Sequence, residues 1–141
     1  STPDLEIQIS STTTDGTLDG LTFFASAYTG ISKLNVLSTR TAKNGSTVLF
    51  NTVTPTKNKC IAVLLGSTST RSNTAAPYTN ISSLLSRTEV QYNGVPRENN
   101  MALGHVELLD KSTYSPASWQ MPTSAGSNSS IGVVYVFEPQ I

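Results

Sequence analysis

The chain has 141 residues, with nine basic and nine acidic side chains and therefore no net charge. Serine and threonine together supply 40 residues, 28% of the chain, and charged residues make up only 13%. This composition favours strands joined by polar turns over long helices. Neutrality excludes a general attraction to nucleic acid or to anionic membranes. The single cysteine, Cys60, excludes an internal disulfide and a cysteine-based zinc centre.

Short apolar runs bounded by turn residues predict strands along the whole chain, and no window keeps a helical period with caps. We therefore expect one domain over residues 1–141, an all-β antiparallel sandwich of jelly-roll-like type with eight or nine strands and very little helix. The predicted strands are Leu5–Ile9, Leu21–Tyr28, Leu34–Thr39, Thr47–Val53, Cys60–Gly66, Leu84–Tyr92, Asn100–Leu109, Trp119–Met121 and Ile131–Phe137.

Turn signals set the expected connections. Asn44-Gly45 predicts a tight hairpin that returns the chain into Thr47–Val53, and Asn93-Gly94 predicts a second hairpin. The run Cys60–Gly66 is the most apolar, so we expect a central strand covered on both faces. Residues 68–80 and 124–130 are predicted to be loops, the first of them long and exposed.

Charge is distributed unevenly, at −4 over residues 1–20, +7 over residues 21–88 and −3 over residues 89–141. The acidic block favours an extended N-terminal arm over residues 1–20, which pairs with a basic body or adds a strand to a neighbour's sheet edge. The alternative is that strands of the three blocks interleave and the charges mix. The predicted protein interface comprises Asp4, Glu6, Asp15, Asp19, Lys33, Arg40, Lys43, Lys57 and Lys59.

Groups for catalysis are scarce. His105 is the only histidine and lies inside a strand pattern, which favours a hydrogen-bonded structural role, and Cys60 opens the most apolar strand, which favours a buried thiol. Asp15 and Asp19 each precede glycine, a pattern that could hold a calcium ion loosely but that turn formation alone explains. Glu107 and Asp110 are ordinary solvated charges at a strand end. We predict no catalytic residue, no cofactor and no metal; a small hydrolase on a sandwich scaffold is the weakest alternative.

Aromatic residues suggest a second kind of function. Tyr78, Tyr92, Tyr114 and Trp119 lie in or near loops and strand ends, where they could form a platform on which sugars stack. Under this alternative the protein is a carbohydrate- or receptor-binding sandwich module. Trp119 equally suits a place in the core, which is the interpretation we favour.

The layout of the second half resembles a β-sandwich domain common among tailed-phage virion proteins. The resemblance covers residues 58–138. It is a resemblance of layout alone, without a diagnostic motif. It comprises an apolar strand, a proline-containing loop, a strand, a turn, a long strand, a tryptophan segment, a Gly/Ser loop and a closing strand. These parts correspond to Cys60–Gly66, the loop with Pro77, Leu84–Tyr92, Asn93-Gly94, Asn100–Leu109, Ser118-Trp119, Ala125–Ser130 and Ile131–Phe137.

This resemblance implies a capsid decoration (cement) protein or a head or tail-fibre appendage. Such proteins are small, rich in serine and threonine, non-enzymatic and often trimeric. The implied partners are major capsid protein subunits and further copies of the chain, a trimer being favoured. The implied location is the virion surface after synthesis in the host cytoplasm. The basic middle block departs from the pattern and leaves open which virion surface the protein faces.

Overall fold

The computed structural model describes residues 27–70, 77–81, 84–93, 98–121 and 129–140. These residues form eight strands and contain no helix. The strands are β1 (Ile31–Leu37), β2 (Thr41–Asn44), β3 (Thr47–Val48), β4 (Cys60–Thr70), β5 (Leu85–Asn93), β6 (Glu98–Leu108), β7 (Trp119–Gln120) and β8 (Ser129–Pro139). The acidic residues of the predicted arm, Asp4, Glu6, Asp15 and Asp19, lie outside the described part, as does the predicted strand Leu5–Ile9.

Two antiparallel sheets make up the fold. The larger has the order β1-β8-β4-β6-β5, with β2 beside β1 along the same edge of β8, and the smaller consists of β3 and β7. The sheets pack on one another as a sandwich, so the predicted all-β antiparallel sandwich is confirmed. β4 is central, as predicted, because it pairs with β6 on one side and with β8 on the other.

Alternate residues of the large sheet point towards the small sheet, and we call this side the inner face. On β4 it carries Cys60, Ala62 and Leu64, all at most 1% exposed. Trp119 from β7 lies against this face with its ring 4.6 Å from that of Phe50. Burial of these apolar side chains supplies the main driving force for folding. The buried hydrophobic cluster consists of Val48, Val53, Cys60, Ala62, Leu64, Tyr78, Ile81, Leu84, Ala102, Leu108, Trp119, Met121, Val134 and Val136.

A buried polar cluster ties the segment 77–81 to the large sheet. The Tyr78 hydroxyl lies 2.9 Å from both the Thr68 hydroxyl and the carbonyl oxygen of Asn100. One carboxylate oxygen of Glu89 accepts from the Tyr78 backbone N–H at 2.7 Å and from the Asn100 amide at 2.8 Å. These bonds satisfy polar groups that burial would otherwise penalise.

The Asn44-Gly45 hairpin prediction is wrong. β2 pairs with β8 in the large sheet, whereas β3 pairs with β7 in the small one, so the turn carries the chain from one sheet to the other. Gly45 adopts φ 131°, a conformation open to glycine. The returning strand ends at Val48 instead of Val53, because the chain then crosses β8 and places Phe50 beside Trp119.

Other boundaries also shift. β4 continues to Thr70, into the predicted loop, because its polar residues extend the pairing with both β6 and β8. In residues 77–80, the other described part of that loop, Tyr78 is buried, so the loop is only partly exposed. The second predicted hairpin is confirmed in its pairing, since Asn93 of β5 lies opposite Glu98 of β6. Of the predicted strand Leu21–Tyr28, only residues 27 and 28 are described, and neither is in a strand.

Candidate interaction surface

In the part of the chain that the structure describes, the residues that could bind a metal ion or act in catalysis do not form a cluster. Within the described ranges no three His, Cys, Asp or Glu side chains come together in a way that could hold a metal ion. Cys60 is fully buried, its thiol donates to the Lys57 carbonyl oxygen at 3.3 Å, and burial raises its pKa, as a structural thiol requires. Asp110 is exposed and accepts from the Ser112 backbone N–H, which lowers its pKa. Neither residue has the surroundings of a nucleophile or general base.

His105 lies on the outer face of the large sheet, the side turned away from Trp119. Its neighbours in the adjacent strands are Val63 and Leu85, and the Tyr28 ring meets the imidazole edge-on at 5.5 Å between centroids. The Nδ1 atom is buried and has no hydrogen-bond partner among the described residues. His105 therefore lies among apolar side chains of the outer face. The hydrogen bond that we expected for a structural histidine is not made at its Nδ1 atom.

The proposed aromatic platform does not assemble among the residues whose side chains the structure describes. Trp119 is 1% exposed and Tyr78 is 4% exposed, so neither ring offers a face to a sugar. Tyr114 is half-buried beside the core, and burial raises its pKa. The side chain of Tyr92 lies outside the described part. Trp119 occupies the core position that we favoured.

The predicted basic block divides between the two ends of the large sheet. Lys33, Lys57 and Lys59 are exposed near the end where β4 begins, and Lys33 lies 3.9 Å from the Glu138 carboxylate. Arg40 lies towards the opposite end, beside the start of β2. Lys43 is placed in β2 by its backbone, and its side chain is not described. At the first end the charges therefore mix in part, as the alternative interpretation expected.

Both edges of the large sheet are irregular. β1 has register shifts on each side of Leu34, and its Lys33 side chain is 70% exposed. β5, at the other edge, has a register shift between Leu85 and Thr88. Bulges and an edge lysine are the devices by which proteins prevent further strands from adding to a sheet. A face of this sheet is therefore better suited to protein contact than its edges.

The outer face is apolar across its centre. Along β4 and β8, apolar residues do not alternate with polar ones. Both strands place apolar side chains on both faces of the sheet, a pattern typical of strands that are covered on both sides. Most of these side chains are half-buried; Leu37 and Leu85, at the flanks, are 51% and 50% exposed. The apolar residues of the outer face are Leu37, Ile61, Val63, Leu65, Leu85, Met101, Leu103, Ile131, Val133, Tyr135 and Phe137.

Sheet geometry gives the extent of this face. Five strands spaced by about 4.8 Å and alternate residues along some 20 Å of each strand make a footprint of about 400 Å². Apolar patches of this size on soluble proteins are commonly interaction sites. Serines 67, 69 and 129 and Asn99 bound the patch at one end, and Glu107 and Lys59 lie at the other.

A depression of about 420 Å³ lies within the outer face. Its lining is largely apolar and includes the exposed Arg40, so it combines a hydrocarbon surface with one cation. The depression is lined by Leu37, Ser38, Arg40, Leu65, Ser67, Met101, Ile131, Val133 and Tyr135.

The sequence predicted half of this arrangement. Alternation along Asn100–Leu109 predicts that Met101, Leu103 and His105 share one face of the strand, and the structure confirms this for β6. The sequence missed the outer face as a surface because a continuous apolar strand was interpreted as covered on both sides. The signal was present in Ile131–Phe137, where both alternating sets of residues are apolar except for Gly132.

The fold and this surface define an all-β sandwich protein with an apolar outer sheet face. Neither the family models, nor the curated proteins, nor the solved structures compared with this chain give a match. In the ranges that the structure describes, no helix is long and apolar enough to cross a membrane.

Proposed function

We propose that this protein is a non-enzymatic structural protein of a virus particle, which binds the outer surface of a phage capsid and stabilises it. The observation that carries the proposal is the apolar outer face of the large sheet. A face of about 400 Å² on a rigid sheet provides an area for contact with another folded protein. Major capsid protein subunits are the proposed partner.

The chemistry of the face supports a protein partner over other ligands. The face is broad and extends well beyond its depression, as a surface for contact with a folded protein does, whereas sites for small molecules are confined to a cleft or cavity. The chain has no net charge, which does not favour nucleic acid. Polar serines at one end of the face and charged residues at the other supply a rim that orients an apolar contact.

A further part of the proposal is oligomerisation, with a trimer favoured. Linked copies that bind one particle convert later contacts into intramolecular ones, so weak individual contacts give strong attachment. The serine and threonine content of the chain suits polar packing at the margins of such contacts.

The test is co-sedimentation of the tagged full chain with genome-filled particles from the source culture in a density gradient. Leu37→Glu places a charge on the outer face at a residue that is already half exposed, so the fold tolerates it. Ala117→Glu is the matched control at an exposed residue two positions before β7, beside the small sheet. We expect the Leu37→Glu chain to be absent from the gradient fractions that contain particles, and the Ala117→Glu chain to be present in them.

A second measurement tests stabilisation. Particles that carry the unaltered chain should release their genome, measured as nuclease-sensitive DNA, at a higher temperature than particles from which the chain has been removed. Adding the Leu37→Glu chain to the latter particles should not raise their release temperature. A chain that never sediments with particles, or a Leu37→Glu chain that binds as well as the control, contradicts the proposal.

A further inference from the structure

The apolar depression of the outer face adjoins a second, more polar depression. The first has a volume of about 420 Å³ and the second of about 350 Å³, and Arg40, Ser67 and Ile131 line both. We infer that the first depression binds the hydrocarbon chain of an aliphatic monocarboxylate, such as a medium-chain fatty acid, and that Arg40 binds its carboxylate where the two depressions meet. This inference goes beyond the proposed function, because it concerns a small ligand in the depression and not a folded partner on the whole face.

A bulge in the chain between β1 and β2 determines where Arg40 lies. The backbone N–H of Ser38 donates to the Val134 carbonyl oxygen at 2.9 Å, and the Ser38 hydroxyl accepts from the Val134 N–H at 2.9 Å. Thr41 lies opposite Gly132, so between these two pairs the edge chain has one residue more than β8. Such bulges change the direction in which a side chain points.

The two residues inside this bulge have different surroundings. The Asn51 amide, which follows β3 of the small sheet, donates to the hydroxyl and to the carbonyl oxygen of Thr39. Arg40 instead lines the depression of the outer face. Because the backbone is bonded to β8 on both sides of the bulge, the fold presents this one cation beside an apolar surface.

Arg40 forms no salt bridge with a carboxylate in the ranges that the structure describes. Glu107, on the same face, lies about 20 Å further along the strands, since it is opposite Ile61 whereas Met101 is opposite Ser67. A guanidinium forms two parallel, charge-assisted hydrogen bonds with a carboxylate, and these are stronger where apolar groups exclude water. A single cation in this position favours an anion of one charge that carries an apolar group.

Serine hydroxyls supply further hydrogen-bond donors at this point. Ser67, Ser69 and Ser129 line the second depression together with Arg40, and the first two are half-buried. A carboxylate offers about four lone-pair sites, so the two bonds from the guanidinium leave others for hydroxyl groups. Ser67 lines both depressions and therefore lies where a hydrocarbon chain and its carboxylate would join.

The first depression suits an alkyl chain better than a peptide backbone. The Ser38 hydroxyl at its wall is already bonded to the Val134 N–H. A peptide placed there would bury N–H and C=O groups without partners, which costs free energy, whereas an alkyl chain has no such groups. The volume lies within the range of about 300–1,000 Å³ that is typical of sites for small molecules. The apolar lining consists of Leu37, Leu65, Met101, Ile131, Val133 and Tyr135.

The test is a titration of the isotope-labelled full chain with octanoate, followed by the chemical shifts of backbone amides in two-dimensional NMR spectra. Octan-1-ol and octylammonium have the same hydrocarbon chain with no charge and with the opposite charge. We expect saturable shifts with octanoate, centred on residues 65, 101, 131 and 133. Octan-1-ol should bind about tenfold more weakly or worse, because it lacks the charge-assisted hydrogen bonds, and octylammonium should not bind.

Two glutamine variants test the role of the cation. Arg40→Gln removes the charge from an exposed side chain, and Lys57→Gln is the matched control near the opposite end of the large sheet. We expect Arg40→Gln to lower the affinity for octanoate by about tenfold or more, to the level of octan-1-ol, and to leave the affinity for octan-1-ol unchanged. Lys57→Gln should change neither affinity. Arg40→Lys should restore part of the octanoate affinity, because an ammonium group keeps the charge but lacks the planar fork.

Several results overturn the inference. They are the absence of saturable shifts at millimolar octanoate, shifts centred away from the depression, equal affinities for octanoate and octan-1-ol, and an octanoate affinity that Arg40→Gln leaves unchanged. The comparison of the three ligands uses the unaltered chain, so it does not depend on the folding of any variant.

A further titration distinguishes a free acid from the end of a polypeptide. Acetylated glycyl-leucine carries the same carboxylate on a peptide, and we expect it to bind more weakly than octanoate. Tighter binding of this peptide would assign the site to a chain terminus and would overturn its assignment to a free acid. No particle is used, so these results are independent of the proposed function.

Discussion

The indole of Trp119 lies directly over Gly66, and a β-carbon at residue 66 would be 2.6 Å from Cζ3 of the ring and 2.9 Å from Val48 Cγ1. The two sheets meet at this point, since Gly66 belongs to the central strand of the large sheet and Trp119 to the small one. Real β-carbons do not approach other atoms so closely, so the absence of a side chain here sets the distance between the sheets.

We therefore expect Gly66→Ala to lower the free energy of unfolding by about 1–3 kcal/mol, because the added methyl group forces the indole or Val48 to move. Urea unfolding followed by the fluorescence of Trp119, the single tryptophan, measures the loss. Ser67→Ala, on the outer face next in sequence, is the control and should change stability by less than about 0.5 kcal/mol. Equal stabilities for both variants would contradict the packing described.

Trp119→Ala should destabilise the protein by about 3–5 kcal/mol, because it leaves a large cavity between the sheets. Thermal unfolding followed by circular dichroism measures this loss. Tyr114→Ala is the companion variant for the sugar-binding alternative, because Tyr114 is only half-buried. Specific glycan binding by the unaltered chain that Tyr114→Ala abolishes without unfolding would favour that alternative.

The free energy of unfolding should fall at alkaline pH because Tyr78 is buried in the folded protein. Burial raises the pKa of Tyr78 well above its ordinary value of 10.0. Above about pH 10 the unfolded chain has released the phenolic proton and the folded chain has not, so rising pH favours unfolding, by up to about 1.4 kcal/mol per pH unit. Below pH 10 both states hold the proton, and this contribution is constant.

Tyr78→Phe isolates that effect. The variant should be less stable at neutral pH by about 1 kcal/mol, because the hydroxyl contacts with Thr68 and the Asn100 carbonyl oxygen are lost. Its stability should decline less steeply than that of the unaltered chain in urea unfolding series from pH 8 to pH 11. An identical alkaline slope in the two proteins would show that Tyr78 does not cause it.

Cys60 should be unreactive in the folded protein. Its thiol is fully buried, and burial raises its pKa, so both the access of a reagent and the thiolate population are reduced. Labelling with a chromogenic disulfide reagent should proceed only as fast as the chain unfolds, and urea should accelerate it. Rapid labelling of the native protein would place the thiol at the surface instead.

The sequence predicted the strands better than their partners. Alternation within Asn100–Leu109 predicted which residues of β6 share a face, because strand geometry sends successive side chains to opposite sides. The Asn44-Gly45 turn was misjudged, since a turn residue reports local backbone conformation and says nothing about which sheet the next strand joins. β2 found its partner in Ser129–Gly132, far along the chain, through contacts that no local pattern encodes.

For the candidate surface, too, the sequence predicts one part and the tertiary structure decides the other. The sequence by itself determined an all-β protein with a thiol in its most apolar strand and with apolar residues on both sides of Ile131–Phe137. Only the tertiary structure decided that one side packs against Trp119 and that the other is the outer face, with Arg40 among the residues that line its depression. The physical reason is that alternation specifies the two sides of a strand, whereas long-range packing determines what covers each side.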